Sequence, residues 1–304
     1  MDTRTFSIIV IYNGMRRDWI QKCFSSIEAS SVPVKIIAID NASTDDSVHY
    51  IKANFPNVLL IESKENLGFG GANNLGLKKA LDLGGEYFFL LNQDARVEKD
   101  TLEKLVTQAQ NNPEYGIVSP LHLNGKGDAL DYNFSTSIVP GACANMYSDF
   151  VMGTIQNKIY MSNFICAAAW LITKECLRIV GGFNPTFFHY GEDENYIQRL
   201  QFRKLKIGVY PLTRIFHDRE SRMNNNFGVG YKKNLQLKFS SPMNKENIDQ
   251  LIKQLKFKIL KNKLLGLSKY NLPLKEKIVY LDLHKKEIIY NLNISISHQE
   301  YPFL

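Results

Sequence analysis

The sequence predicts an α/β protein built on a mainly parallel sheet flanked by helices, and three features carry that prediction. Four short apolar runs rich in β-branched and aromatic residues, Phe6–Tyr12, Val34–Ile39, Val58–Ile61 and Tyr87–Leu91, have the length of buried strands. Helical stretches separate them: Trp19–Ala29, Asp45–Asn54, Phe69–Leu83 and Thr101–Asn111. Strand–helix alternation of this kind gives a parallel sheet covered by helices. The segments that follow the strands are rich in Asn, Asp and Gly. They fall at the carboxyl edge, where open α/β sheets bind their ligands.

The remaining elements follow in order. Asp100 caps the helix at Thr101, with Glu103 at the third helical position as in a capping box. From Pro120 to Met161 the periodicity weakens and Gly, Asn, Ser and Asp become frequent, as in an insertion or a set of loops. Order returns at Asn163–Thr173, in a helix over Glu194–Leu205 and in a final strand over Lys206–Tyr210. Ser240-Ser241-Pro242 marks a break. Beyond it Ile248, Leu251, Ile252, Leu255 and Ile259 form one apolar stripe of a helix, and a second helix is expected over Leu274–Tyr290. The expected division is a catalytic domain over residues 1–235 and a basic helical extension over 236–304.

The charge is unevenly placed. The net charge is +7, but residues 231–304 alone hold 14 Lys against 6 acids. The body is therefore close to neutral, which argues against a nucleic-acid partner and fits a neutral catalytic part with a basic appendage. Cys23, Cys143, Cys166 and Cys176 are widely spaced without a C-x-x-C, so neither a zinc knuckle nor a redox dithiol is signalled. A reducing, cytoplasmic setting is expected. Near the N-terminus only Phe6–Tyr12 is apolar, so no signal peptide is expected, and no apolar run approaches the ~20 residues of a membrane-spanning helix.

Several segments at strand ends can carry chemistry. The first strand ends at Tyr12-Asn13 and the second at Asp40-Asn41, followed by Ser43-Thr44-Asp45-Asp46. Asp40 can accept a hydrogen bond from the imide of a pyrimidine base, or it can begin an Asx-turn. Asn66, Gly68, Phe69, Gly70, Gly71, Asn73 and Asn74 follow the third strand. Glycines there allow close backbone approach, and the helix N-terminus behind them favours phosphate. A dinucleotide fingerprint would need G-x-G-x-x-G after the first strand, so the dehydrogenase reading fails on position and spacing. Asn92-Gln93-Asp94 ends the fourth strand, where one carboxylate is placed to hold a hard cation such as Mg²⁺ or Mn²⁺. Glu192, Asp193 and Glu194 open a helix after the aromatic loop Phe187–Tyr190, and crowded acids beside an apolar wall make a competent base. His217 follows the last strand as a candidate metal ligand.

In this order the motifs resemble family 2 glycosyltransferases with a GT-A fold, over about residues 5–220. The Asn66–Asn74 segment is most similar to that of bacterial rhamnosyltransferases and their galactofuranosyl relatives. The resemblance implies an inverting transferase that moves a sugar from a nucleotide diphosphate donor to a glycan or lipid-linked acceptor in surface polysaccharide synthesis. By that resemblance Tyr12 and Asp40 line the base, and Asn66, Gly68, Phe69, Gly70, Asn73, Asn92 and Gln93 bind the donor. Asp94 matches the last acid of the D-x-D metal motif and His217 completes the Mg²⁺ or Mn²⁺ site. Asp193 matches the catalytic base with Glu192 beside it, and Trp170 falls where some relatives face the acceptor. One departure stands out: Asn92 occupies the place of the first acid, so a charge is lost there. The implied donor is dTDP-rhamnose, with UDP-galactofuranose and UDP-hexoses as alternatives.

Two other function classes stay open. A nucleotidyltransferase would show an early Gly-rich basic loop, where this chain has Gly14, Arg16 and Arg17. A non-catalytic sugar-nucleotide-binding module would not need Asp94, Asp193 and His217 together. The striped helix of the extension has two readings as well. It packs its apolar face on the protein, or it lies on an anionic membrane surface at the inner face of the cell membrane.

Overall fold

The computed structural model describes residues 4–16, 18–219 and 230–304; Arg17 lies outside the described residues. In chain order its strands are β1 (Thr5–Ile11), β2 (Val34–Asp40), β3 (Leu59–Glu62), β4 (Tyr87–Leu91), β5 (Ala95–Val97), β6 (Tyr115–Asn124), β7 (Tyr160–Ser162), β8 (Ala169–Thr173) and β9 (Lys206–His217). Its helices are α1 (Trp19–Glu28), α2 (Ser47–Asn54), α3 (Gly68–Asp82), α4 (Thr101–Asn111), α5 (Tyr132–Ser135), α6 (Met146–Val151), α7 (Lys174–Val180), α8 (Glu192–Phe202), α9 (Gly230–Ser240), α10 (Ile248–Leu264) and α11 (Leu272–Ile296).

One sheet runs in the order β3-β2-β1-β4-β8-β6-β9-β5, with β7 added beside β9. Its first four strands are parallel, as alternation with helices requires. Beyond β4 it is mixed: β8 is antiparallel to β4 and β6, while β6 and β9 are parallel. Strand alternation sends Ile8, Leu90 and Trp170 to one face with helices α3, α7 and α8, and Ile9, Leu91 and Leu171 to the other with α1 and α4. Both faces are covered, which is why these strands read as unbroken apolar runs.

The final strand outruns its expected end. β9 continues through Pro211 to His217, and a register shift opposite Pro120/Leu121 absorbs the proline. The weakly patterned segment after β6 is ordered around its own apolar residues, with Phe134, Ile138, Cys143, Met146 and Tyr160 buried in the main core. The four cysteines are free thiols.

The helical extension has its own small core of Phe239, Ile248, Ile252, Ile278, Leu281 and Ile288. The stripe expected on α10 packs there against α11, and α9 packs on α11 in turn. The chain then returns to the body. Arg178 pairs with Glu300 at 2.7 Å, and the Gly182 amide donates to the Pro302 carbonyl at 2.9 Å. Among the described residues no helix is long and apolar enough to cross a membrane.

Candidate active site

A cavity of about 1190 Å³ opens at the carboxyl ends of β1, β2 and β4. The parallel register sets Ile11 opposite Asp40 and Ile8 opposite Leu90, so the polar segments after these strands emerge side by side. Of the predicted residues, Tyr12, Asn66, Gly68, Phe69, Asn73, Asn92, Gln93, Asp94 and His217 line it.

Apart from Arg16, which also lines the cavity, the wall at β1 and β2 is made of neutral groups held by hydrogen bonds. The Gln93 side chain accepts from the Tyr12 amide at 3.0 Å and donates to the Tyr12 carbonyl at 2.9 Å. The Asn13 side-chain carbonyl accepts from the Thr44 amide at 2.8 Å, while the Asn13 amide donates to Ser43 Oγ at 3.0 Å. Asn41 accepts from the Leu67 amide at 2.7 Å and donates to Asn66 Oδ1 at 3.0 Å. Asp40 is buried, and both carboxylate oxygens accept from the Ser43 amide at 3.3 Å. The bond reaches three residues on, one further than the Asx-turn of its local reading, and Asn41 rather than Asp40 lines the cavity.

The glycine segment is the first turn of α3 rather than a loop before it. Gly68 has φ +71°, and a Cβ there would lie 2.2 Å from the Phe188 carbonyl oxygen. A Cβ on Gly70 would lie 2.9 Å from Phe183 Cβ and 3.7 Å from Glu192 Cβ. These glycines therefore let α3 touch the loop that leads into α8. Gly70 packs behind the cavity and is not on its surface.

Charge enters from the far edge of the sheet. Antiparallel pairing of β5 with β9 sets Ala95 opposite His217, which carries the histidine to Asp94 across the intervening sequence. His217 Nε2 lies 3.2 Å from Asp94 Oδ1, and its Nδ1 lies 3.5 Å from Asp131 Oδ2. Arg219 Nε reaches the same Asp131 oxygen at 3.2 Å. Burial alone would lower the His217 pKa, but the two carboxylates outweigh it and hold it up at about 9. Burial raises the Asp131 carboxyl, yet hydrogen bonds from His217 and the Phe134 amide, with Arg219 nearby, carry it well below the usual carboxylate range. Asp131 and Arg219 line the cavity and were not singled out by the sequence. The only local signal for Asp131 is its place as N-cap of α5, bonding the Phe134 amide at 2.9 Å.

The donor set fits a divalent cation only in partnership with a ligand. Asp94 and His217 offer one carboxylate and one imidazole, and the described residues contain no group of three His, Cys, Asp or Glu able to hold a metal by themselves. Hard cations that keep waters and substrate phosphates accept such a partial set. Asp131 behind the second ring nitrogen is the arrangement that orients a metal-ligating histidine. Asn92 Nδ2 lies 3.4 Å from His217 Nε2, so the residue in the place of the missing acid faces the same point.

Glu192 and Asp193 open α8 directly after Phe188, His189 and Tyr190, which line the cavity. Neither acid is among the cavity-lining residues. Burial pushes Glu192 up to about 7, with Asp193 adding to the rise, and its Oε2 has no partner. Burial also raises the Asp193 carboxyl, against opposing hydrogen bonds from the Glu194 and Ala167 amides. The Cys166 thiol, pushed up to about 11 by burial, lies within electrostatic reach of Asp193, Asp131 and Arg219. Trp170 does not reach the cavity. It is fully buried on β8, stacked on Phe183 at 6.2 Å and packed on Tyr196, so the structure does not place it against an acceptor.

Residues 7–171, more than half of the chain, match the family model for glycosyl transferase family 2. The chain belongs to that family. Among curated relatives, family 2 likeness extends to the low-salt glycan biosynthesis hexosyltransferase Agl10 of Haloferax volcanii, 23% identical over 219 residues, covering 69% of this chain and 66% of the relative. It extends also to the N-acetylglucosaminyl-diphospho-decaprenol L-rhamnosyltransferase of Mycobacterium tuberculosis, 23% identical over 191 residues, covering 57% of this chain and 62% of the relative. The matched parts thus span under two thirds of those proteins' own length. Among solved structures, S. aureus TarS 1-349 in complex with UDP aligns with TM-score 0.56 at 13% identity, covering 96% of this chain and 90% of that one. GalNAc-T7 with UDP, GalNAc and Mn²⁺ aligns with TM-score 0.60 at 14% identity, covering 96% and 58%. The fold of this family 2 chain is accordingly GT-A-type, with the helical extension added.

Proposed function

We propose that the protein is an inverting glycosyltransferase that uses a nucleotide diphosphate sugar. The observation that carries this reading is the placement of Asp94 and His217 on the cavity at the sheet's carboxyl edge, with half-buried Asp193 opening α8 just after the lining residues Phe188, His189 and Tyr190. Tyr12, Asn13 and Asn41 form the edge toward the nucleoside, and Asn66, Gly68, Phe69, Asn73, Asn92 and Gln93 shape the donor pocket. Asp94 and His217 would hold Mg²⁺ or Mn²⁺, which when bound neutralises charge on a departing diphosphate. Arg219 adds a cation on the same wall.

Asp193 takes the proton from an acceptor hydroxyl as that oxygen bonds to the anomeric carbon. The bond from that carbon to the diphosphate breaks on the opposite face, its electron pair leaves with the nucleotide, and the configuration inverts. A raised Asp193 pKa supports this role, because a stronger base accepts the proton more readily.

For the donor sugar the reading favours dTDP-rhamnose, supported by the likeness of the Asn66–Asn74 segment to rhamnosyltransferases and by the activity of the mycobacterial relative. UDP-galactofuranose and UDP-hexoses are the alternatives. The acceptor is a glycan or a lipid-linked oligosaccharide in surface polysaccharide synthesis, met at the cytoplasmic face of a membrane. Residues 1–235 act as the catalytic part and 236–304 as its helical extension.

A donor panel tests this directly. Release of nucleoside diphosphate from one nucleotide sugar, stimulated by Mn²⁺ and dependent on acceptor, is expected. Pyrophosphate release instead would make the protein a nucleotidyltransferase, and tight donor binding without turnover would make it a binding module.

A further inference from the structure

We propose that the end of the α10–α11 hairpin is a docking surface for a membrane carrying anionic lipid. The apolar stripe of α10 is consumed inside the hairpin, where Ile248, Ile252 and their neighbours pack on α11. A second apolar face remains on the opposite side of the same helix. Phe257, Leu260 and Leu264 follow one another at spacings of three and four, about half a turn away from the buried stripe. Leu264 is 79% exposed and Phe257 69%. Leu265, Tyr270 and Leu272 extend this surface through the connection into α11, all exposed. So large a set of neighbouring exposed apolar side chains marks an interaction site rather than ordinary surface.

The charge around it selects the occupant. Residues 253–277 hold eight lysines and one acid, Glu276. None of these lysines is ion-paired among the described residues, whereas Lys233, Lys238 and Lys285 elsewhere in the extension are. Apolar side chains ringed by such lysines suit the boundary between headgroups and acyl chains of an anionic leaflet. A lysine-rich contact between two copies of this chain would set like charge on like charge. The surface deepens the lipid-linked acceptor reading above, because it would bring the cavity to acceptors held in that leaflet. The binding itself is independent of whether sugar is transferred.

The test uses the full chain and sedimentation with vesicles of phosphatidylcholine, with and without one quarter phosphatidylglycerol. Wild type is expected to sediment with the anionic vesicles, less so at high salt, and not with neutral ones. Leu260→Ser/Leu264→Ser/Leu265→Ser and Lys261→Gln/Lys263→Gln/Lys269→Gln are each expected to lower binding about tenfold or more. Unchanged melting temperature and nucleotide binding verify that both variants are folded. Equal binding by wild type and folded variants overturns the proposal. So does a wild-type dimer in sedimentation velocity that the leucine variant dissociates without any vesicle binding by wild type, which would assign the surface to a second copy. Transfer to a soluble acceptor, measured in parallel, reports separately on the catalytic reading.

Discussion

Around the ends of β1 and β2 the cavity is walled, apart from Arg16, by neutral amide side chains whose hydrogen bonds hold neighbouring chain, whereas the end of β9 lines it with charges and the start of α8 holds two more acids just beyond its lining. Tyr12, Asn13, Asn41, Asn66 and Gln93 carry no formal charge, and their hydrogen bonds are used to fix backbone. Asp94, His217, Asp131 and Arg219 form a chain of opposite charges, and Glu192 and Asp193 are held against burial at the start of α8. The difference separates two tasks. Neutral hydrogen-bonded groups set shape and stay the same from one pH to another. A charged wall responds to charge that appears or moves during reaction, and it titrates.

The largest expected effect comes from the charged groups. Asp193→Asn keeps the shape of the α8 N-terminus and removes the proton acceptor. Sugar transfer should fall about 10²–10⁴-fold with nucleotide affinity unchanged. The wild-type activity should also decline toward acid at a pH above that of an ordinary aspartate, because burial raises the Asp193 pKa and only its ionised form accepts a proton. Transfer at the wild-type rate by the variant would remove Asp193 as the base and break the division of tasks.

Glu192 gives the next effect, on stability. Its carboxyl titrates near the ordinary 4.5 when unfolded and at about 7 when folded. Its favourable contribution is therefore complete below pH 4.5 and is lost as the pH rises to about 7, above which the folded chain must keep a buried charge. At 1.36 kcal/mol per pKa unit the loss is on the order of 3 kcal/mol. Glu192→Gln should melt near wild type at pH 4.5 and above it at pH 8. An equal difference between the two proteins at both pH values would show that Glu192 does not titrate in this window.

The contrast between the walls is also a contrast in what a sequence displays. The neutral wall follows strands that announce themselves as apolar runs, so the strand pattern alone puts Tyr12, Asn41, Asn66 and Asn92 at one edge of the sheet. The charged wall depends on pairings between distant segments. His217 meets Asp94 because β9 runs past Pro211 to pair with β5, which the proline and the polar alternation conceal. Asp131 is a single acid in a segment rich in Gly, Asn and Ser, and its buried partner lies far along the chain. Trp170 misleads for the opposite reason. The resemblance puts it where some relatives face the acceptor, but β8 is covered on both faces, so neither side of the strand leads outside. The extension divides in the same way: the stripe of α10 is legible as a helix face, while its burial on α11 depends on how the chain turns back at residues 265–271.

Asp131→Asn sharpens the comparison within the charged wall. Asparagine retains the cap on the Phe134 amide and removes the charge behind His217 Nδ1. Loss of such an outer partner typically costs about 10–100-fold in metal affinity. Calorimetry of nucleoside diphosphate binding with and without Mn²⁺ should show the loss only when Mn²⁺ is present. An equal loss without the ion would mean that Asp131 acts on the pocket's shape, as the neutral wall does.

The smallest effect is expected where the two walls meet. Gln93 sits beside Asp94 in sequence, yet both ends of its side-chain amide are taken by the Tyr12 backbone. Those hydrogen bonds are exposed to water, so their joint net contribution is about 1 kcal/mol. Gln93→Ala should raise the donor KM about fivefold and leave kcat unchanged, since 1.4 kcal/mol is about tenfold. Gln93→Glu separates the contributions further: it keeps an acceptor for the Tyr12 amide, loses the donor to the Tyr12 carbonyl, and adds a carboxylate next to Asp94. If Gln93 belongs wholly to the neutral wall, alanine and glutamate should both act through KM. A fall in kcat for alanine would mean that the amide wall takes part in the charge changes of the reaction, and the line between the two regions would have to be drawn on the other side of Gln93.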